Sequence, residues 1–388
     1  MPRPARPYSL PTLAVVALQL AIVGGLLFAV GDAWFDLYKL SRFQVAGADY
    51  SCVWAGAKAA LSEPSRIYDF AHVSALQGWP LGPGRIRPYV YPPSALLIFA
   101  PFALPSYWLS FGLWVAATGA LFLWAARRMG APWPLVLLAP PVLLTAFCGQ
   151  LAFLVGGLVL AALSLRHRPV LAGVLLGVAA SVKPQFLVLV PIALVAEARW
   201  RTLFAAGVTG VTLFVLSSLV WGPERWLEWL GALARFRALI FGDRGLTEDA
   251  ITPYAALVSI GLDGRWAFLL APASVALVWF GFRRTQDVAD RSLMLFGATL
   301  LVTPYAMNYE LALFAPGLAA YLSRLRDPRW TESAAAALGC ALLPWTFLSV
   351  LPVLALALVR LLRPVEPLTA PRARSDVAPA RATSNPNA

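Results

Sequence analysis

The chain has 388 residues, of which 60% are hydrophobic and 13% charged, and its formal net charge is +12. Its mean hydropathy is +0.71. Soluble domains carry about 25% charged residues, so a water-soluble globule of this size would hold more apolar surface than it could hide. The composition excludes disorder, a disulfide scaffold and an ordinary cytosolic enzyme. The apolar runs are long and rich in Leu, Ala and Val, unlike the short alternating segments of a membrane β-barrel. What remains is an all-α polytopic membrane protein.

A membrane-spanning helix needs about 20 apolar residues, or fewer where flanking loops are buried in protein. Residues 1–10, with Arg3 and Arg6, read as a cytoplasmic N-terminus, and 11–31 as an uncleaved anchor. Residues 32–93 form a long polar segment. The run 94–104 is too short to span and reads as re-entrant. Spans follow near 106–126, 133–149, 151–165, 169–182, 185–198 and 201–221. A second polar segment, 222–250, carries the Trp-rich amphipathic stretch WGPERWLEWLGALARFRALIF, which reads as an interfacial helix. A short apolar piece at 252–262 precedes spans near 266–283, 290–304, 308–322, 331–348 and 350–362. The expected count is about 12 helices, within a range of 10–13, in one membrane domain over 11–363. Residues 364–388, rich in Pro, Ala, Ser and Arg, read as a disordered cytoplasmic tail.

Basic residues follow the alternation of these spans. With the N-terminus in the cytoplasm, the cytoplasmic connectors hold Arg127, Arg128, Arg166, Arg168, Arg199, Arg201, Arg283, Arg284 and Arg291. Together with both termini and the late connectors they take nineteen of the 31 basic residues and seven of the 19 acidic ones. The whole excess of positive charge then lies on one side, as the positive-inside rule requires. The charge therefore encodes topology. It is scattered, not patched, and does not point to nucleic acid.

Unusual residues collect on the outer side. Lys183, in GVLLGVAASVKPQFLVLVPIALV, is the lone charge in more than 20 residues. A lysine at membrane depth costs a few kcal/mol and marks a functional site by default. Here it reads either as a snorkelling residue or as a cation that holds a phosphate, with Pro184 breaking the helix beside it. Asp49, in GADYSCVWAGAKAAL, reads either as a helix cap or as a general base. Asp69 reads as a turn or cap residue. Arg85, Arg87 and Tyr89 lead into Tyr91-Pro92-Pro93. Tight outer turns fall at Cys148-Gly149-Gln150, at Lys183-Pro184-Gln185 and at Thr303 to Glu310. Glu248 and Asp249, which end the second polar segment, face the same cavity on this map, as do Asn308 and Glu310.

Cys52, Cys148 and Cys340 are odd in number, lack CxxC spacing and read as apolar packing. His72 and His167 fall on opposite sides, so no metal site is expected. No phosphate-binding glycine loop, dinucleotide fingerprint or serine-hydrolase elbow occurs, and no cofactor is expected.

Five stretches occur in a familiar order: GADYSCVWAGA, YPPSALLIFAPFALP, GQLAFLVGGLVLAALSL, AGVLLGVAASVKPQFLVLVP and LVTPYAMNYELALFAPG. Together they resemble glycosyltransferase family 87, a group of GT-C-type membrane enzymes that includes polyprenol-phosphate-mannose-dependent α-mannosyltransferases. The resemblance spans residues 10–360. It implies a GT-C-type fold and an active site at the outer face of a bacterial inner membrane, with both termini cytoplasmic. It implies transfer of a hexose, mannose above all, from a polyprenyl-phosphate donor to a glycolipid or glycan acceptor, with membrane lipids as further partners. Residue by residue, Asp49 matches the family's acidic base, Lys183-Pro184 its Lys-Pro and Gly149-Gln150 its Gly-Gln turn. Some members carry a His at the late turn, where this chain has Asn308 or Tyr309, so no histidine role carries over. Lys183, Arg87 and Gln150 would hold the donor phosphate. Tyr50, Tyr91, Gln185, Glu248, Asp249, Tyr305, Asn308 and Glu310 would line the substrate cavity. A departing phosphate needs no acid, so one carboxylate suffices, and direct displacement inverts the anomeric centre. A secondary transporter or lipid flippase is the rival reading. It explains the broken helices and the membrane-depth lysine and leaves the long outer segment unexplained.

Overall fold

The computed structural model describes residues 46–78, 87–242 and 250–323. The expected spans at 11–31, 331–348 and 350–362, the tail at 364–388, the domain boundaries and Arg85, Glu248 and Asp249 lie outside the described residues. Within them the chain is helical throughout, with one isolated β-bridge between Ala250 and Met307. The elements are α1 (Tyr50–Ser62), α2 (Phe70–Gln77), α3 (Pro93–Ala103), α4 (Tyr107–Arg128), α5 (Trp133–Leu137), α6 (Pro140–Cys148), α7 (Ala152–Ser164) and α8 (Pro169–Val182). They continue with α9 (Pro184–Ala196), α10 (Trp200–Trp221), α11 (Glu224–Gly242), α12 (Pro253–Ser259), α13 (Gly264–Arg284), α14 (Val288–Val302), a 3-10 turn (Asn308–Phe314) and α15 (Ala315–Ser323).

Among the described residues, α4, α10 and α13 are long and apolar enough to cross a membrane, while α3, α7, α8 and α9 are apolar but shorter. The polar segment expected at 32–93 contains α1 and α2 and is not a bare loop. The continuous span expected at 133–149 is instead two short helices. Ala139 takes an extended backbone before Pro140, because a residue preceding proline is driven out of the helical region, and Pro140 then opens α6 at its first position. The 185–198 expectation is likewise a 3-10 turn followed by a helix over Val190–Ala196. The amphipathic stretch forms α11, with Leu227, Leu230 and Leu233 exposed.

Helices approach closely where glycines remove side chains. Packing in an apolar medium relies on van der Waals contact between small residues, and α8 offers Gly173 and Gly177 to α10. A Cβ on Gly177 would lie 2.6 Å from Thr209 Cβ and 2.7 Å from the Ala206 carbonyl oxygen. Gly156 and Gly157 of α7 meet Leu313, Leu121 and Phe122 in the same way. The opposite side of α10 stays uncovered, with Phe204, Val208, Val211 and Leu219 exposed, as suits a helix bordered by lipid.

Two turns bring the ends of α1 and α6 together. Gly47, at φ +75°, donates its N–H to the Phe147 carbonyl at 2.7 Å and accepts from the Tyr107 hydroxyl at 2.5 Å. Gly149 closes α6 in the left-handed region at φ +70°, and its carbonyl accepts from Trp114 Nε1 at 3.1 Å. A Cβ on Gly149 would meet Tyr50 Cβ at 2.7 Å.

Three stability outcomes follow from this packing. Gly177→Val should cost about 1–3 kcal/mol or more by overpacking, read as a lower Tm in detergent. Gly207→Ala, inside α10 and facing open space, should stabilise by about 0.4–1 kcal/mol through the backbone entropy of the unfolded chain. Gly149→Ala should cost about 1–2 kcal/mol for the left-handed backbone alone, before its clash with Tyr50. A Tm equal to wild type would disprove the account of that turn.

Candidate active site

Asp49 sits at the N-terminus of α1, where a lone aspartate ordinarily caps. Its side chain makes no capping hydrogen bond. Instead Arg87 Nη1 pairs with Oδ1, and Gln150 Nε2 donates to Oδ2 at 2.7 Å. Both carboxylate oxygens are thus engaged by groups from distant parts of the chain. Asp69 does cap: its Oδ1 accepts from the His72 backbone N–H at 3.0 Å. That bond, helped by the Arg66 guanidinium, holds the Asp69 carboxyl below its ordinary range.

Arg87 is held from behind. Gln77, the last residue of α2, donates through Nε2 to the Arg87 carbonyl at 2.5 Å and accepts from Ser51 Oγ at 3.3 Å. Its backbone is therefore tied to α1 and α2, while its guanidinium reaches Asp49. Burial pulls that guanidinium below its ordinary pKa, and Cys148, Tyr309, Tyr107 and Tyr305 lie within electrostatic reach and oppose the shift. Arginine stays charged through such a shift.

Lys183 ends α8, and α9 restarts at Pro184. The ammonium is not free. It pairs with Glu310 of the 3-10 turn, and the two side chains are only 7% and 3% exposed. The rings of Phe186 and Tyr309 flank Lys183 Nζ, with centroids at 5.5 and 5.9 Å, inside cation–π range. Burial pushes the Cys52 thiol up to about 12, and the Lys183 ammonium pulls it the other way. Cys52 also donates to the Asp49 carbonyl at 3.0 Å. Cys52 is thus bonded to the Asp49 main chain and within electrostatic reach of Lys183, and Tyr309, whose ring flanks Lys183, is within electrostatic reach of Arg87.

The late turn is fastened on both sides. Thr303 Oγ1 donates to the Thr299 carbonyl of its own helix at 2.7 Å and lies 3.5 Å from the Gln185 carbonyl, and Thr145 Oγ1 donates to the Tyr309 carbonyl at 3.0 Å. Ile251 N donates to the Ala306 carbonyl at 2.9 Å, and Thr252 Oγ1 to the Pro304 carbonyl at 3.1 Å.

The sequence-derived residues divide accordingly. Asp49, Arg87, Gln150, Lys183 and Glu310 come together, and Tyr305 stands within electrostatic reach of Arg87. Tyr91 stands within reach of Cys52, Glu310 and Tyr305. Asn308 opens the turn that carries Glu310. Tyr50 does not line a cavity: it is fully buried, bonded to Ser110 at 2.5 Å and stacked on Trp114, and so acts as a strut beneath Asp49. The Gln185 side chain is exposed, and its carbonyl lies 3.5 Å from Thr303 Oγ1. Gln77, Cys52 and Tyr107 are site neighbours that sequence reasoning missed. Nothing in the local pattern marks them, since Gln77 and Tyr107 act through Arg87 and Gly47, and Cys52 matters for its nearness to Lys183.

At the other end of the bundle the connectors carrying Arg166, Glu197, Arg199 and Arg291 meet one another. Helices α7, α8, α9 and α14 each run between this arginine-rich end and the Asp49–Lys183 end.

No curated protein and no solved structure matches the chain. The profile of glycosyltransferase family 87 matches residues 89–304. That stretch holds Tyr91, Gln150, Lys183 and the Thr303-Pro304 turn; Asp49 and Arg87 precede it and Glu310 follows it. The match covers more than half of the sequence, and with the apolar helices it makes this chain a membrane glycosyltransferase, a member of glycosyltransferase family 87.

Proposed function

We propose that the protein transfers a sugar, mannose above all, from a polyprenyl-phosphate donor to a glycolipid or glycan acceptor. The reaction takes place at the outer face of the bacterial inner membrane, with both termini in the cytoplasm. The observation that carries this reading is the pairing of Asp49 with Arg87 and Gln150 beside the buried Lys183–Glu310 pair, in a chain of this family.

Asp49 is the general base. The acceptor hydroxyl oxygen attacks the anomeric carbon, and its proton passes to the Asp49 carboxylate. The bond from the anomeric carbon to the phosphate oxygen breaks, and its electron pair leaves on the polyprenyl phosphate. Direct displacement inverts the anomeric centre. The donor is a phosphodiester with one negative charge, and the departing monoester develops a second. Cations fixed beside it therefore stabilise the transition state more than the ground state. Arg87 and Lys183 supply those cations. Arg87 is matched to Asp49 before the donor arrives, and the donor phosphate takes the place of that carboxylate, whereas Lys183 keeps Glu310 and turns a second ammonium N–H to the phosphate. Asp49 thereby loses its strongest partner as the donor seats, and a carboxylate relieved of a cation is the stronger base. Gln150 stays to orient it.

The test uses purified protein in nanodiscs with radiolabelled polyprenyl-phosphate sugars and a membrane lipid extract. Wild type should move label into a new product. Asp49→Asn should lower turnover by about 10²–10⁴-fold with donor binding kept; full turnover in that variant would remove Asp49 as base. Lys183→Ala alone leaves Glu310 buried and unpaired, which costs about 3–5 kcal/mol. The informative variant is therefore Lys183→Gln with Glu310→Gln. It should fold and lose about 10²–10³-fold in kcat/KM, and wild-type transfer would rule out the phosphate role of Lys183.

A further inference from the structure

Helix α4 has one covered face and one open face. Trp114, Thr118 and Phe122 are buried, while Leu113, Ala116, Ala120 and Trp124 are exposed. Trp108 and Trp124, each about half exposed, stand near its two ends. At 1.5 Å per residue they are about 24 Å apart along the axis, close to the thickness of a hydrocarbon core of about 30 Å. Indole rings settle at the two borders of that core. Trp124 therefore marks one border, and Arg127 and Arg128, a turn further on, lie at the depth of the lipid phosphates.

There the chain turns at Gly130. Gly130 N donates to the Arg127 carbonyl at 3.0 Å, and Ala131 N to the Ala126 carbonyl at 3.1 Å. The turn sets Trp133, the first residue of α5, across from Trp124 and the two arginines, and together with Ala120 and Leu123 they line a groove of about 590 Å³. That lining carries two guanidinium groups and no carboxylate. The Arg128 guanidinium lies over the Trp124 ring at 5.5 Å, inside cation–π range. On an open surface water satisfies such arginines. Here the depth of the groove, its two indole walls and the lack of a counter-charge in its lining call for an amphipathic anion.

We propose that this groove holds the headgroup of an anionic glycerophospholipid. The phosphodiester lies between Arg127 and Arg128, the glycerol between the Trp124 and Trp133 rings, and one acyl chain follows the exposed stripe over Ala120, Ala116 and Leu113. Basic pockets beside membrane helices take headgroups of this kind, and the volume falls within the range of about 300–1,000 Å³ of small-molecule sites. A zwitterionic lipid brings its own cation against the two guanidinium groups and binds more weakly. The lipid joins α4 to α5 and takes no part in the transfer chemistry at Asp49.

The test follows thermal unfolding of the full chain in detergent as phosphatidylglycerol or phosphatidylcholine with the same acyl chains is added at fixed salt. A ligand of the folded state raises Tm with its concentration. Wild type should reach half the effect at about tenfold less phosphatidylglycerol than phosphatidylcholine. Arg127→Gln with Arg128→Gln changes only exposed side chains and should abolish that preference. The control is Arg283→Gln with Arg284→Gln, which removes the same charge from the end of α13, where Arg283 lies over Trp279 at 5.7 Å; the preference should survive it. Equal curves for the two lipids in wild type would overturn the proposal. So would an equal loss in both variants, which is the signature of charge attraction spread over many arginines. Native mass spectrometry of the same samples adds a reading independent of stability. One phosphatidylglycerol retained by wild type and released by the Arg127–Arg128 variant supports the site. A dimer of the chain in place of bound lipid, dissolved by that variant, would give the groove to a second copy and refute it.

Discussion

A charge inside an apolar bundle must find an opposite charge or a set of hydrogen bonds, because isolation there costs several kcal/mol. Lys183 and Glu310 meet that demand across 127 residues of sequence. The pair settles where the break between α8 and α9 lies against the 3-10 turn before α15, since neither residue can be buried without the other. The fastening from Thr145 to the same region acts on a geometry the charge pair already demands. Asp49, Arg87 and Gln150 extend the same logic to the start of α1. Buried pairs of this kind add little net stability and much specificity of arrangement, which is what a site for a charged lipid requires.

The glycine turns do complementary work. Asp49 and Gln150 touch only because Gly47 and Gly149 adopt backbone angles that other residues resist and let Tyr50, Tyr107 and Phe111 close around them. Aromatic packing under the turn, with Tyr50 on Trp114 and Tyr107 on Trp54, makes the floor of the site rigid. Its upper face is made of side chains tied by ion pairs, which exchange partners more readily than packed rings do.

Much of this was legible in the sequence. The span at 169–182 has the boundaries its apolar run implies, and α10 begins one residue before the expected 201–221. Lys183 stood out because a lone charge in an apolar run is costly wherever it ends up. What stayed hidden were relations between distant residues. Glu310 was readable as an outer acid, but not as the partner of Lys183. Gln77 looked like any polar helix terminus, and nothing local announces that it grips the carbonyl of Arg87. Asp49 and Asp69 looked alike as helix-start aspartates; only tertiary contacts make one a cap and the other an ion-pair partner. The Pro140-Pro141 break shows the opposite failure, in which hydrophobicity alone overrode a plain local signal.

The grip of Gln77 on the Arg87 carbonyl has a geometric consequence. With its main chain pinned, Arg87 works as a crane arm on a fixed post: its charged tip sweeps an arc one side chain in radius, and Asp49 occupies one point on that arc. Any anion that captures the tip must lie elsewhere on the same arc. The length of a single arginine therefore sets an upper limit on the distance between the carboxylate and whatever negative group replaces it, a ruler that the shape of the helices alone would not supply.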